Sequence, residues 1–230
     1  MLILDRIPIF LISLLPLFLI TGPFLSDLAI SISAIVYLYI FFFVENKRID
    51  LKNYFIIFIS IFYFYLLLSS ILSEYTYHSL SASLFFFRFF VFSFCIIYFY
   101  EKYENFKKLF LYTLIFCFFL ISLDSAVQYT LGYNLFGYEY DKYNMHERLS
   151  SFFGDEKILG NYILKIFPIL LFLLINVKFL NKTYKVIIFY LISIFSIVLI
   201  ILSGERAALG SFCVLIFCLS FFIRWERNKR

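Results

Sequence analysis

The sequence predicts an all-α protein, a polytopic bundle of about eight membrane-crossing helices. Three observations carry that expectation. Hydrophobic residues make up 63% of the chain and charged residues only 15%. The apolar residues fall in runs of roughly 20, the length a helix needs to cross the hydrocarbon core. The basic residues gather in the breaks between those runs, and mainly in alternate breaks.

The runs cover 7–22, 24–44, 54–71, 79–100, 107–128, 158–177, 186–202 and 207–223. They leave no soluble domain, so 1–230 reads as a single integral membrane domain with an outer loop at 129–157. The first run holds Pro8 and Pro16 and lacks the small-residue cleavage pattern of a signal peptide; it reads as the first membrane helix. Its break from the second, "TGPFLSD", is very short, but Gly22 and Pro23 favour a tight reversal there. The 35 Phe and 19 Tyr are partly a compositional bias, which takes functional weight off any single aromatic position. Cys95, Cys117, Cys213 and Cys218 all lie inside apolar runs, where they read as small buried hydrophobes rather than a disulfide framework or a zinc site.

Orientation follows from the loops, because Lys and Arg are retained on the cytoplasmic side. With both termini inside, the cytoplasmic connections carry Lys47, Arg48 and Lys52, then Lys102, Lys107 and Lys108, then Lys178, Lys182 and Lys185, and finally Arg224, Arg227, Lys229 and Arg230. The opposite connections "TGPFLSD" and "SEYTYHS" carry none. No nucleic-acid partner is expected; bilayer lipid is.

This alternation isolates the basic residues on the wrong side: Lys142, Arg148 and Lys157 in the loop after the fifth run, and Arg206 in "LSGERAAL". Two more lie within runs, Arg88 in "SLFFFRFFVF" and Lys165 in "GNYILKIFPI", at roughly 10–14 Å below the outer surface by the helical rise. A charge at that depth costs at least ~2.5–3.5 kcal/mol unless it snorkels, pairs or lines a wet cavity. Taken singly, Arg88 reads as a snorkelling or paired arginine, with Asp124 a possible partner, and Lys165 as a snorkelling lysine. Taken together, Arg88, Arg148, Lys165 and Arg206 converge on one membrane face and suggest an anion site, for which the planar guanidinium fork suits phosphate.

In "HERLSSFFGDEKILGNY", Asp155 precedes the sixth run and reads as its N-cap. Gly160 and Asn161 fall in the first turns, where glycine permits close approach of a neighbour. Arg148 has no structural role of that kind and lies free either to stay solvated or to reach a ligand at the membrane surface.

These residues carry a resemblance. Gln128 and Gly132 in "QYTLGYNLFGY", Arg148 followed by Phe153-Gly154-Asp155 and Leu159-Gly160, Lys165 followed by Pro168, and the Gly204-Glu205-Arg206 turn together resemble the O-antigen ligase and polymerase family of bacterial inner-membrane proteins, over about residues 120–215. The resemblance implies transfer of a glycan from undecaprenyl diphosphate to a glycan or lipid acceptor hydroxyl at the periplasmic face. It assigns Arg148 and Arg206 the catalytic grip on the diphosphate and makes Arg88, Lys165 and Gln128 substrate-binding. No metal or other cofactor is expected, since fixed cations can stabilise the charge that develops on the leaving diphosphate; Asp155 with Glu156 is a weak magnesium candidate.

Family members continue into further helices and a large periplasmic loop bearing a base, so the chain is expected to be the N-terminal part of that architecture and to be inactive alone. His146, two residues from Arg148 and with an ordinary pKa near neutrality, reads as a solvated loop histidine or as a substitute base. His78 has less support. The rival readings are a transporter or flippase for an anionic lipid or sugar, which lacks the paired interrupted helices common in transporters, and a non-catalytic membrane subunit.

Overall fold

The computed structural model describes residues 3–45, 54–141, 148–154, 156–176 and 181–228. Every apolar run is a helix: α1 Ile3–Thr21, α2 Pro23–Tyr39, α3 Tyr54–Ile71, α4 Thr76–Lys102, α5 Glu104–Leu131, α6 Leu159–Asn176, α7 Lys182–Leu202 and α8 Arg206–Asn228. A π-helical turn, Ile40–Val44, prolongs α2. Among the described residues, α1 to α7 are long and apolar enough to cross a membrane, and α8 has a shorter apolar stretch, Arg206–Leu219. Helix is the form such sequences must take in lipid, where each backbone N–H has to find its acceptor within the segment. The short first break is real and is a single residue. Gly22 adopts φ 127°, and Pro23 opens α2 at the position where its missing N–H costs nothing.

The chain divides into two compact units, Met1–Phe106 and Lys107–Arg230. In the first, α2 packs against α1 and α4, and α3 packs on α4. The buried face of α2 presents Ser26, Ala29, Ile30, Ser33 and Ala34, a mostly small-residue stripe that lets neighbours approach closely. Polar side chains tie the elements at one end: Glu45 Oε1 accepts from Lys102 Nζ at 2.6 Å and from the Tyr98 hydroxyl, and the Tyr103 hydroxyl donates to buried Asp5.

Arg88 is paired, but not with Asp124. Its Nη2 donates to Asp27 Oδ2 at 2.7 Å and its Nη1 to Ser31 Oγ at 3.2 Å, while its guanidinium carbon lies 5.0 Å from the Phe89 ring centroid. Asp27 closes the "TGPFLSD" break in the sequence; α2 begins at Pro23 and carries Asp27 and Ser31 one turn apart on the helix that packs against α4. The longer α4 also puts Arg88 twelve residues from its first residue, about 18 Å along the axis, where the run from 79 puts it nine residues in. Two of the four cysteines depart from expectation: Cys95 and Cys117 are buried, whereas Cys213 and Cys218 lie on the exposed surface of α8.

In the second unit α6 is the central helix, packing on α7 and α8. Tyr162, Ile163, Ile166, Phe167, Leu170 and Leu174 form its buried face. The Tyr162 side chain hydrogen-bonds Cys117 of α5, and Phe167 meets Phe212 of α8 with ring centroids 5.2 Å apart.

The Arg88 and Asp27 side chains keep 31% and 49% of their exposure, so their coupling is that of a partly solvated pair. A double-mutant cycle with Asp27→Asn and Arg88→Gln, read by unfolding in mixed micelles, is expected to give about 1 kcal/mol. A coupling near zero would show that the pair does not help hold α2 against α4.

Candidate functional site

The end of the second unit where α5 stops and α6 begins is built on three polar side chains that nothing in the sequence singles out as a set. Asp124 and Gln128 stand one turn apart on α5 and are fully buried, and Asn134 is buried in the loop that follows. All three converge on Ser151. The Ser151 hydroxyl donates to Asp124 Oδ2 at 2.7 Å, its N–H to Gln128 Oε1 at 2.7 Å, and its carbonyl accepts from Asn134 Nδ2 at 2.7 Å. Ser151 sits at φ 51°, a left-handed conformation that a non-glycine residue holds only where its surroundings over-determine it. The three bonds supply that constraint.

The same residues shape the hairpin after α5. Gly132 ends the helix at φ 83°, its N–H bonded to the Gln128 carbonyl. Asn134 Oδ1 accepts from the N–H groups of Phe136 and Tyr138, and Tyr133 bridges to Glu139. The ring of Tyr138 then fills the space above Gly154. A Cβ at Gly154 would lie 2.6 Å from Tyr138 Cζ, and φ there is 59°.

A second group of hydrogen bonds joins α6 to the turn between α7 and α8. The Glu205 carboxylate is buried against the start of α6, accepting from Gly160 N–H at 2.7 Å, Asn161 N–H at 3.3 Å and Asn161 Nδ2 at 2.8 Å. The two backbone donors are ones that the first turn of a helix leaves without internal partners, and the positive end of the helix dipole favours the carboxylate. Glu205 also opens α8, its carbonyl receiving the Leu209 N–H. Gly160 is the complement: a Cβ there would lie 2.4 Å from Ser203 Oγ and 3.2 Å from Ala208 Cβ. The close approach expected at Gly160 is therefore an approach to this turn.

Arg148 rests on that turn, beside the residue pair that leads to Arg206. Gly204 has φ 63°, and a Cβ built on it would come within 3.3 Å of Arg148 Cγ and 3.7 Å of Cδ. The aliphatic stem of Arg148 thus lies on Gly204, two residues before Arg206, and both arginines are exposed. Lys165 is exposed one turn below Asn161 on the same face of α6, about 6 Å further along the axis. Gln128 is buried, and its amide is used within the protein, accepting from Ser150 and Ser151 and donating to the Tyr138 carbonyl. It holds the segment that follows Arg148. Arg88 belongs to the first unit and its ion pair there. His146 and Asp155 lie outside the described residues. Among the described residues, no three His, Cys, Asp or Glu side chains gather in a way that could hold a metal ion.

Comparison of the chain with protein-family models, with curated proteins and with solved structures finds no match. The site therefore rests on its own geometry.

The sequence marks Glu205 only as part of the Gly204-Glu205-Arg206 turn and gives it no role of its own. The available signal was an acidic residue in a very short turn between two apolar helices, opposite a helix start rich in orphan donors. Its replacement tests the clamp. Glu205→Ala should cost about 3 kcal/mol of unfolding free energy, since it abandons buried donors that had a charged acceptor, and should accelerate hydrogen exchange at the Gly160 and Asn161 amides. Gly160→Ala should cost about 1–3 kcal/mol through overpacking, partly recovered by adding Ser203→Ala. Unchanged exchange at Gly160 in Glu205→Ala would dismiss the clamp.

Proposed function

We propose that this protein transfers a glycan from an undecaprenyl-diphosphate-linked donor to an acceptor hydroxyl at the outer face of the bacterial inner membrane, with both termini cytoplasmic. Arg148 and Arg206 are the groups that grip the diphosphate. The observation that carries the reading is the seating of Arg148 on Gly204 beside Arg206, two exposed guanidinium groups brought to one turn from 58 residues apart in the chain. Lys165, one turn beneath Asn161, supplies a third positive charge on the membrane side.

The chemistry asks for such a pair. When the sugar–phosphate bond breaks, negative charge grows on the leaving diphosphate, and donors already fixed there stabilise it without reorganising at the moment of reaction. Fixing is what the surrounding residues do. Glu205 holds the turn that bears Arg206, and Gln128 holds Ser150 and Ser151 just after Arg148. Guanidinium groups stay charged at every relevant pH and can donate two parallel hydrogen bonds to phosphate oxygens.

Arg206→Lys keeps the charge but loses the paired donors. Placed in the full-length protein, in membranes supplied with lipid-linked glycan and acceptor, this variant should transfer about a hundredfold more slowly, equivalent to about 3 kcal/mol of transition-state stabilisation. Its expression and membrane insertion should be unchanged. Wild-type transfer by Arg206→Lys would remove the diphosphate grip. The orientation has a separate check: with the native cysteines replaced, Thr76→Cys should react with a membrane-impermeant maleimide in intact spheroplasts, and protection there would invert the topology.

A further inference from the structure

The hairpin after α5 has a property that the transfer reading does not use. Residues 133–138, "YNLFGY", carry no charge, and Leu135 and Phe136 expose 68% and 73% of their surface. Tyr133 and Tyr138 are exposed beside them. Yet the backbone beneath is closed to solvent in the hydrogen-bonding sense. Five successive N–H groups all have acceptors within the protein: Asn134 to the Tyr138 carbonyl at 3.0 Å, Leu135 to Asp124 Oδ1 at 3.0 Å, Phe136 to Asn134 Oδ1 at 3.0 Å, Gly137 to the Asn134 carbonyl at 3.0 Å, and Tyr138 to Asn134 Oδ1 at 2.8 Å. A loop in water does not need this, because water satisfies its donors. A loop entering a medium without hydrogen-bond partners does.

The bond from Leu135 to Asp124 also fixes how deep the tip lies. Asp124 precedes the last residue of α5, Leu131, by seven residues, about 10 Å along the axis. The hairpin therefore does not stand away from the helix end but folds back along α5. Counting the roughly 20 residues that fill the ~30 Å hydrocarbon core from the basic pair Lys107 and Lys108 reaches about Gln128, one turn beyond Asp124. The tip lies within a side chain's reach of the Asp124 level, at the border between acyl chains and headgroups. Exposed apolar surface continues from Phe119, Leu123 and Leu131 of α5, and the Tyr129 ring lies 6.3 Å from that of Tyr140 at the hairpin base.

We propose that the tip of this hairpin, residues 133–138, is a membrane anchor that seats its aromatic and aliphatic side chains among bilayer lipids at the acyl–headgroup border. Aromatic residues favour that zone, where an apolar body and a polar tip are both accommodated. The anchor holds the hairpin, and through Asn134 and Tyr138 the segment around Ser151 and Gly154, at a fixed height on the membrane. It stands whether or not the protein transfers glycans.

The test uses the whole chain in liposomes. Trp225→Phe removes the single tryptophan, and Phe136→Trp then reports from the tip. Emission should be shifted to the blue of free tryptophan amide. It should lose most intensity with lipids brominated near the top of the acyl chains, less with lipids brominated near their ends, and little with aqueous acrylamide. Leu135→Trp repeats the measurement one residue away, should Phe136→Trp not fold. Strong acrylamide quenching without bromolipid quenching would place the tip in water and overturn the proposal. Quenching by neither reagent would place it under protein and overturn it equally.

Discussion

The Glu205 carboxylate on the first turn of α6 is the interaction on which this end of the second unit, where α6 and α8 begin, depends. It joins three helices at one point, since Glu205 ends the α7–α8 turn, starts α8 and completes the N-terminus of α6. Burying a carboxylate is costly unless its oxygens are satisfied, and here both accept hydrogen bonds from α6. The arrangement has a chemical corollary. A helix N-terminus is a ready anion site, but this one is already filled by the protein's own anion, so a phosphate at this surface must be held by side chains. Arg148 and Arg206 are the side chains that the same turn presents.

Asp124 works by a related logic in a different place. Its carboxylate is buried without a basic residue among its described hydrogen bonds, accepting instead from a serine hydroxyl and a backbone N–H. With Gln128 and Asn134 it holds Ser151 in a left-handed conformation that the residue would not keep alone. The described residues around Ser151 are thus held by neutral donors around buried acceptors, in contrast to the first unit, where the ion pairs of Arg88 and Lys102 draw α4 to the α2 segment.

How much of this the sequence discloses depends on the range over which each signal acts. Membrane helices are written locally, in the length and apolarity of each run, and all eight are legible, including the one-residue break at Gly22. Arg148 and Arg206 stand out because the alternation of basic loops can be read one connection at a time, and Arg88 and Lys165 because a cost in lipid can be assessed one residue at a time. Partnerships cannot. The sequence offers Asp124 as a partner for Arg88, and only the packing of α2 on α4 brings Asp27 to it. Gln128 resembles a ligand residue because a polar side chain near a membrane surface has no local mark to distinguish support from contact. Glu205 is hidden for the same reason, its acceptor role being defined by donors 44 and 45 residues away.

The break at Gly22 bears on how the chain is made. With one residue between α1 and α2, neither helix can be threaded to its final depth while the other waits outside, because the connection has no slack to span the difference. The two arms are therefore suited to enter the bilayer together as a helical hairpin. The basic pair Lys47 and Arg48 after the second arm would then orient both arms at once, one charge signal serving two helices.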